Sequence, residues 1–383
     1  MVAAVRAGTS LRAVARRFGV SLLTVQRWVG RAGRQRLDRV DWRDRSHRPQ
    51  RMRRTAPELE DLVLTLRREL YETSALGEVG ARAIQRALPQ RGAPRVPALR
   101  TIGRILERRG ALDGRRRVRR PPPPPGWYLP AVAAGHAELD SIDIVEGLVI
   151  AGGSDVEVLN GMSLHGGLPA SWPGPPVRAT MVVDALQEHW CAFGLPTYAQ
   201  FDNDTCFQGA HQFPDTIGRV SRLCLSLGVV PVFVPPQEPG FQAAIESYNG
   251  RWQAKVWARF HHPDYAALQA HSAAFVAALQ ERLAARIERA PARHPWPAHW
   301  RLDLQARPRG CLIFLRRADE QGRVEFLGHR WVAAAHWGHR LVRAEVDLDH
   351  DIVRLYALRR RVPTEQPLLC KVPYRFPREG FTE

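Results

Sequence analysis

The sequence predicts a multidomain α/β chain with helix-turn-helix units at its N-terminus, a central mixed sheet with flanking helices, and a small β-barrel at its C-terminus. Three observations predict it. At 383 residues the chain exceeds one ordinary domain. Its apolar period changes twice: helical up to residue 112, alternating strand and helix over 131–295, and short glycine-separated strands in 296–383. Its charge is partitioned, because residues 1–120 carry 30 arginines and no lysine against 11 acidic residues, which accounts for the whole net charge of +18.

A basic front half joined to a near-neutral body is the pattern of a polyanion-binding region attached to something else. With 45% hydrophobic and 25% charged residues the chain is globular and can bury a core. The five cysteines (Cys191, Cys206, Cys224, Cys311, Cys370) are odd in number and form no CxxC, which fits a reducing compartment. No apolar run approaches a membrane span, and the opening MVAAVRAGTSLRAVARRFGV lacks a signal peptide's apolar centre. A soluble cytoplasmic protein with no membrane partner is the expectation.

Residues 1–33 read as helix, helix, turn, helix. Val2–Ala7 is the first helix; Ser10 caps a second that runs to Arg17, Gly19 breaks it, and Ser21 caps a third that ends near Gly30. Ala15, Gly19 and Val25 have helix-turn-helix spacing: a small residue lets two helices approach, a glycine turns the chain, and an apolar residue packs back. The last helix of such a motif enters the major groove and here would present Ser21, Thr24, Gln26, Arg27 and Arg31. Three short helices could equally dock a protein, but the local charge points to DNA. Residues 34–54 have no apolar period and read as a basic linker lying on phosphates.

Residues 55–112 read as a second helical unit. Thr55 and Glu58 have capping-box spacing, followed by a stripe of Leu59, Leu62, Val63, Leu66 and Leu70. Ala81–Leu88 and Ala98–Arg109 are further helices, the latter with Leu99, Ile102, Ile105 and Leu106 inward and Arg100, Arg104 and Arg108 outward. A helical spacer is the plain reading; a second DNA-binding unit, contacting through Arg100 and Arg104, is the one the charge favours. In residues 113–130 an arginine run precedes five prolines, a stiff extended spacer.

In residues 131–295 strands are predicted at Ala137–Ile144, Gly147–Ile150, Asp155–Leu164, Thr197–Phe201 and Val229–Val234. Helices are predicted at Arg178–Phe193, Ile217–Leu227, Phe241–Arg259 and Leu268–Arg289. In 296–383 short strands at Cys311–Arg316, Arg323–Phe326, His329–Ala333, Arg340–Val346 and Ile352–Leu358 make the barrel.

Three acidic sites stand out. Asp140 lies in an apolar strand within Ala-Glu-Leu-Asp-Ser-Ile-Asp, Asp202 follows a strand in Gln-Phe-Asp-Asn-Asp, and Glu246 sits on a helix in Phe-Gln-Ala-Ala-Ile-Glu-Ser-Tyr-Asn-Gly. Singly, each is a turn residue, a cap or a solvated acid. Together they are oxygen donors of the kind Mg²⁺ or Mn²⁺ requires, and two such ions can stabilise both oxygens of a phosphoryl transfer. Asp143 competes with Asp140, because a strand alternates faces and only one of the two can point at the site. Neither GxSxG, a Walker P-loop nor HExxH occurs, which argues against the corresponding hydrolases.

Asp202-Asn203 after a strand, then Val229–Val234, Pro235-Pro236, and a helix with Glu246, Tyr248-Asn249 and Arg251, resembles the catalytic block of DDE-type insertion-sequence transposases of the retroviral-integrase-like superfamily. Ala137-Glu138-Leu139-Asp140 is similar to that family's first-acid pattern without its aromatic, which favours Asp140 over Asp143. The resemblance implies a ribonuclease H-like core over 131–295, with Asp140, Asp202 and Glu246 as catalytic and metal-binding triad. It implies two Mg²⁺ or Mn²⁺ ions, double-stranded transposon-end and target DNA as partners, a homo-oligomer holding two ends, and a bacterial, nucleoid-associated location. The activity implied is metal-dependent 3′-end cleavage followed by strand transfer; a catalytically inactive, transposase-derived DNA-binding protein is the alternative. Lys255, with Trp252, Arg259, Arg316, Arg317, Arg340 and Arg343, would be further DNA contacts. The chain departs from the family in having Asp204, not glycine, after Asp-Asn, and in separating Asp202 from Glu246 by 44 residues, with the extra length in Gln208–Arg219.

Overall fold

The computed structural model describes residues 1–43, 55–93, 95–112, 125–210, 213–238, 240–360, 362–377 and 381. Much of the expected linkers at 34–54 and 113–130 therefore lies outside the described residues. The chain divides into two compact units, Met1–Pro57 and Glu58–Glu383.

In the first unit, α1 (Val2–Arg6), α2 (Leu11–Phe18) and α3 (Leu22–Ala32) form where the caps predict. The Ser10 hydroxyl accepts from the Ala13 amide at 3.3 Å and that of Ser21 from Thr24 at 3.1 Å, each relieving an orphan donor of its helix's first turn. Gly19, with φ 62°, closes α2 in the left-handed region, where a side chain would be strained. Val14, Ala15 and Val25 are buried together, as their spacing predicts.

In the second unit, α4 (Pro57–Thr73), α5 (Ala81–Ala87) and α6 (Leu99–Arg108) bury Val63, Leu66, Ile84, Leu88, Ile102, Ile105 and Leu106 against one another. Leu99, predicted to be inward, is exposed at the start of α6. A short helix α7 (Pro130–Ala133) follows. Then come β1 (Leu139–Val149), β2 (Asp155–Ser163) and β3 (Pro169–Gly174), an antiparallel meander. Next are α8 (Ala179–Phe193), β4 (Tyr198–Phe201), α9 (Thr205–Gln208), α10 (Arg219–Ser226) and β5 (Val230–Phe233). Strand β4 pairs in parallel with β1, and β5 with β4. Helix α11 (Ala243–Trp252) runs into a wider turn over Gln253–Trp257, and α12 (Tyr265–Glu288) completes the helices. The order β3-β2-β1-β4-β5 with helices on both faces is compatible with the ribonuclease H-like core that the resemblance implies.

The faces of this sheet have different covers. Helices α8 and α10 bring Val182, Leu186, Trp190, Val220 and Leu223 onto Ile142, Leu159, Phe201 and Phe233. Helices α11 and α12 bring Ile245, Tyr248, Trp252, Leu268 and Phe275 onto Val145, Val156, Val158 and Met162. Fully burying one such side chain contributes on the order of 1.5–3 kcal/mol.

The structure corrects three expectations. The two strands predicted at 137–150 are one, β1, whose register shifts between Val145 and Leu148 where Gly147 takes φ 74°; a bulge absorbs what the sequence shows as a break. Strand β3 was hidden by Pro169 and Pro173, which an edge strand tolerates. The C-terminal strands do not stand apart as a barrel. Strands β6 (Cys311–Arg317), β9 (Leu341–Asp347), β10 (Ile352–Ala357) and β11 (Leu368–Pro373) prolong the same sheet, while β7 (Arg323–Phe326) and β8 (His329–Val332) form a separate hairpin. Strand β6 adds in parallel to β5, with Val232 opposite Ile313 and Phe233 opposite Phe314. The reason is in β6 itself: Leu312–Arg316 are all buried, so both faces need cover, as in an internal strand. The Phe314 ring stacks on Phe233 at 5.1 Å, joining the two regions in one core.

In a fragment ending at residue 295 the sheet region should therefore lack a stable fold, because it exposes the edge of β5 and the Phe233 ring. Thermal melts followed by circular dichroism test this. We expect the sheet's share of the transition to be lost, leaving at most a helical melt; a fragment melting close to the whole chain would mean that the C-terminal strands are dispensable.

Candidate active site

Side chains alternate along β1, and the alternation separates the two acids between which the sequence left a choice. Asp140 points to the α8 face and is 2% exposed. Arg293 grips it with two hydrogen bonds, to Oδ1 at 2.9 Å and Oδ2 at 2.6 Å, and the Trp190 indole donates to Oδ2 at 3.0 Å. Burial alone would raise its pKa, but the Arg293 guanidinium outweighs burial and holds the carboxyl below its ordinary range. A carboxylate enclosed in this way is a structural ion pair. Asp140, the first acid that the sequence pattern prefers, thus faces away from the helix that carries Glu246.

Asp143 points the other way. The parallel register pairs Ser141 with Gln200, and continuing it two residues sets Asp143 beside Asp202, just past the end of β4. Asp143 is pushed up to about 6, first by burial, then by the Asp202 carboxylate, with Glu246 adding to the same effect. The amide of Asn249, one turn beyond Glu246 on α11, donates to Asp143 Oδ2 at 2.8 Å. Glu246 itself is exposed and Asp202 half-buried, so the three acids open toward solvent.

Asp202 is held by a tight turn in which its Oδ1 accepts from the Asp204 amide at 2.9 Å; burial raises its pKa. Asp204 caps α9, accepting from the Cys206 amide at 2.7 Å with φ −60°, so no glycine is needed there. Asn203 bridges β4 to its neighbours: its amide donates to the Val234 carbonyl, and its Oδ1 accepts from Arg316 of β6, both at 2.7 Å. The segment that carries the extra length between Asp202 and Glu246 has Gly209 and Gly218 packed against each other. These backbones approach so closely that a Cβ on Gly218 would lie 2.7 Å from the Gly209 nitrogen. Asp215 in this loop accepts from Tyr374 at 2.6 Å and bonds His329 at 2.8 Å.

Among the described residues no group of three or more His, Cys, Asp or Glu is close enough to hold a metal ion as it stands. Asp143, Asp202 and Glu246 are grouped by register and by charge, not closed around one point.

Several predicted DNA contacts have other work. Lys255 donates to the Gly77 carbonyl at 3.0 Å, and Arg259 donates to the carbonyls of Tyr71 and Ser74 at 3.0 and 2.6 Å; both fasten the end of α4 to the core. Trp252 is fully buried and donates to Ser272. Arg316 and Arg343 are buried, Arg317 pairs with Glu238, and Arg340 stacks on Trp337 at 4.8 Å. In the first unit, Arg31 stacks on Trp28 and donates to the Arg43 carbonyl, while Ser21 and Thr24 bond each other in the cap of α3. Gln26, Arg27, Arg100 and Arg104 are exposed. The sequence reading missed Arg293, Asn160 and Ser171. Asn160 has a visible signal, a lone amide inside the apolar stretch of β2; Arg293 has none, since it lies in a segment without periodicity.

A scan against family models gives no match, and neither does a search of curated proteins. Solved structures similar to the chain include the catalytic core domain of BIV integrase, with TM-score 0.27 and 18% identity over 38% of this chain and 82% of that one. The simian T-cell lymphotropic virus intasome in complex with PP2A regulatory subunit B56 gamma gives 0.33 and 13% over 68% and 87%. The HTLV-2 integrase catalytic core domain in complex with magnesium gives 0.26 and 11% over 35% and 81%. Alignments this loose say nothing of the chemistry. Among the described residues no helix is long and apolar enough to cross a membrane.

The two acids of β1 should respond oppositely to neutralisation. Asp143 titrates higher folded than unfolded, so its contribution favours folding at low pH and is lost as pH rises through about 6. At neutral pH without metal this costs on the order of 3 kcal/mol, and Asp143→Asn should recover much of it at pH 7.5 and nothing near pH 4. Asp140→Asn leaves the half-buried Arg293 without its partner and should cost about 2–4 kcal/mol at pH 7.5. Urea melts at both pH values check this; destabilisation by Asp143→Asn at pH 7.5 would contradict it.

Proposed function

We propose that the chain is a DNA-processing phosphoryl transferase of the DDE type, with Asp143, Asp202 and Glu246 as its acids, acting as the transposase of a mobile element. The observation that carries the reading is the grouping of Asp143, Asp202 and Glu246 from two adjacent strands and the helix crossing them. Its further support is the Asp202-Asn203 and Glu246–Arg251 blocks.

The donor set suits a hard divalent cation. All three groups are carboxylates, and burial followed by negative neighbours raises Asp143, whereas Asp140 has its arginine. Mg²⁺ or Mn²⁺ held by Asp143, Asp202 and Glu246 would supply Lewis-acid activation of phosphate and of the attacking hydroxyl. The chain's own part is positioning. Asn249 orients Asp143, the turn to the Asp204 amide orients Asp202, and Asn203 with Arg316 fixes the end of β4. Water would displace one strand at a transposon end, leaving a 3′-OH, and that hydroxyl would then displace a target-DNA oxygen; each step makes one P–O bond and breaks one. Of the predicted contacts, exposed Gln26 and Arg27 on α3, with Arg100 and Arg104 on α6, would be available to DNA. Holding two ends calls for a homo-oligomer. An inactive DNA-binding derivative is the second reading, favoured by the lack of a closed three-donor group among the described residues.

Strand transfer on end-bearing oligonucleotides separates the two. Asp143→Asn, Asp202→Asn and Glu246→Gln should each lower Mn²⁺-dependent cleavage by about a thousandfold or more, with DNA affinity changed by less than about twofold. Wild-type protein that binds the ends tightly and never cleaves would favour the second reading.

A further inference from the structure

Asp143, Asn160 and Ser171 stand in one row across three strands: Asp143 is the partner of Asn160 in the β1–β2 register, and Asn160 of Ser171 in β2–β3. Helix α11 crosses this row with Tyr248 and Asn249. Four hydrogen bonds join them. Asn249 Nδ2 donates to Asp143 Oδ2 at 2.8 Å, and Asn160 Nδ2 donates to Asn249 Oδ1 at 2.9 Å. Ser171 Oγ donates to Asn160 Oδ1 at 2.6 Å, and Ser171 Oγ lies 2.7 Å from the Tyr248 hydroxyl.

The direction of every proton follows from the last acceptor. An ionised Asp143 can only accept, so Asn249 must turn its NH₂ to it and its oxygen to Asn160. Asn160 must then present NH₂ to Asn249 and oxygen to Ser171. Serine has one proton, which goes to Asn160, so the remaining contact needs the Tyr248 hydroxyl as donor. The chain runs one way, Tyr248 to Ser171 to Asn160 to Asn249 to Asp143, and aligned bonds of this kind strengthen one another. Asn160 and Tyr248 are fully buried, so water does not compete with them.

Resting on the reading above, we propose that Tyr248, Ser171, Asn160 and Asn249 are positioning residues whose relay holds the Asp143 carboxylate, against repulsion by Asp202 and Glu246, in the rotamer that receives a divalent cation. Packing alone does not require it, because Phe would fill the place of Tyr248 and an apolar residue that of Asn160. The relay also ties the two sides of the site together: the helix that carries Glu246 sets the orientation of the strand acid.

The test is Mn²⁺ titration of the full-length protein, read by electron paramagnetic resonance of the free ion and by the Mn²⁺-induced rise in Tm, alongside KM for end-bearing DNA. Asn160→Leu should raise the Mn²⁺ concentration for half-saturation by about tenfold, as loss of a partner behind a metal ligand does. Ser171→Ala should raise it by about threefold, which fits the net worth of one hydrogen bond. Ser171→Thr, which keeps the hydroxyl, should match the parent, and KM for DNA should stay unchanged in all three. If Asn160→Leu does not fold, the Ser171 pair decides. Ser171→Ala and Asn160→Leu binding Mn²⁺ like the parent, while Asp143→Asn loses it, overturns the relay and leaves the metal site standing. Asp143→Asn binding Mn²⁺ like the parent removes the site, and the relay with it.

Discussion

The pleat of β1 decides what each of its acids can do. Three residues apart, Asp140 and Asp143 must face opposite sides of the sheet. On one side Asp140 is sealed under α8 by Arg293 and Trp190; on the other Asp143 meets α11 through Asn249. Because a buried carboxylate needs a partner or hydrogen bonds, the Arg293 ion pair fixes which face is which: a slip of one residue would send Asp140 out and leave Arg293 without its partner. The segment carrying Arg293 is itself tied to the end of α8 by the Leu195–His294 bridge, so the pairing is anchored at both ends. The contrast in acidity follows from the same geometry. Asp140 is held low by a cation, and Asp143 is held high by burial and two neighbouring anions.

The C-terminal strands serve this site from a distance. Arg316 of β6 is buried with its guanidinium turned to the Val234 and Glu325 carbonyls and the Asn203 amide oxygen, and burial lowers its pKa to about 10. Charge here is spent on backbone, and the result is a fixed end for β4 immediately before Asp202. The loop pinched at Gly209 and Gly218 leans on the same region through Asp215, His329 and Tyr374. Part of the length that separates Asp202 from Glu246 is thus tied to the C-terminal region through Asp215.

Much of this was legible in the sequence, and the failures share a cause. Helix caps at Ser10 and Ser21, the stripe in α4, and the strands around Asp202 and Val232 follow from local rules and formed as those rules predict. What could not be read is what depends on a distant partner. Setting Asp143 apart from Asp140 needs knowledge of which face α11 covers, and the family-like pattern around Asp140 carries no such information. The pairing of β6 with β5 leaves no periodic trace beyond an apolar run that a barrel strand could share. Arginine was the least readable residue: Arg316 and Arg343 are buried ties and Arg293 a half-buried one, while Arg27, Arg100 and Arg104, identical in kind, are exposed. Net charge predicts a polyanion partner but does not say which guanidinium meets it.

The central claim is that a cation belongs on the α11 face of β1. Crystals grown with Mn²⁺ and an end-bearing duplex would test it most directly, by anomalous scattering at the manganese edge. The account predicts a peak within bonding distance of Asp143 and Asp202, with Asp140 still paired to Arg293. A peak against Asp140 or Glu138 on the α8 side, or ordered DNA at Asp143 and Asp202 with no metal between them, would contradict it.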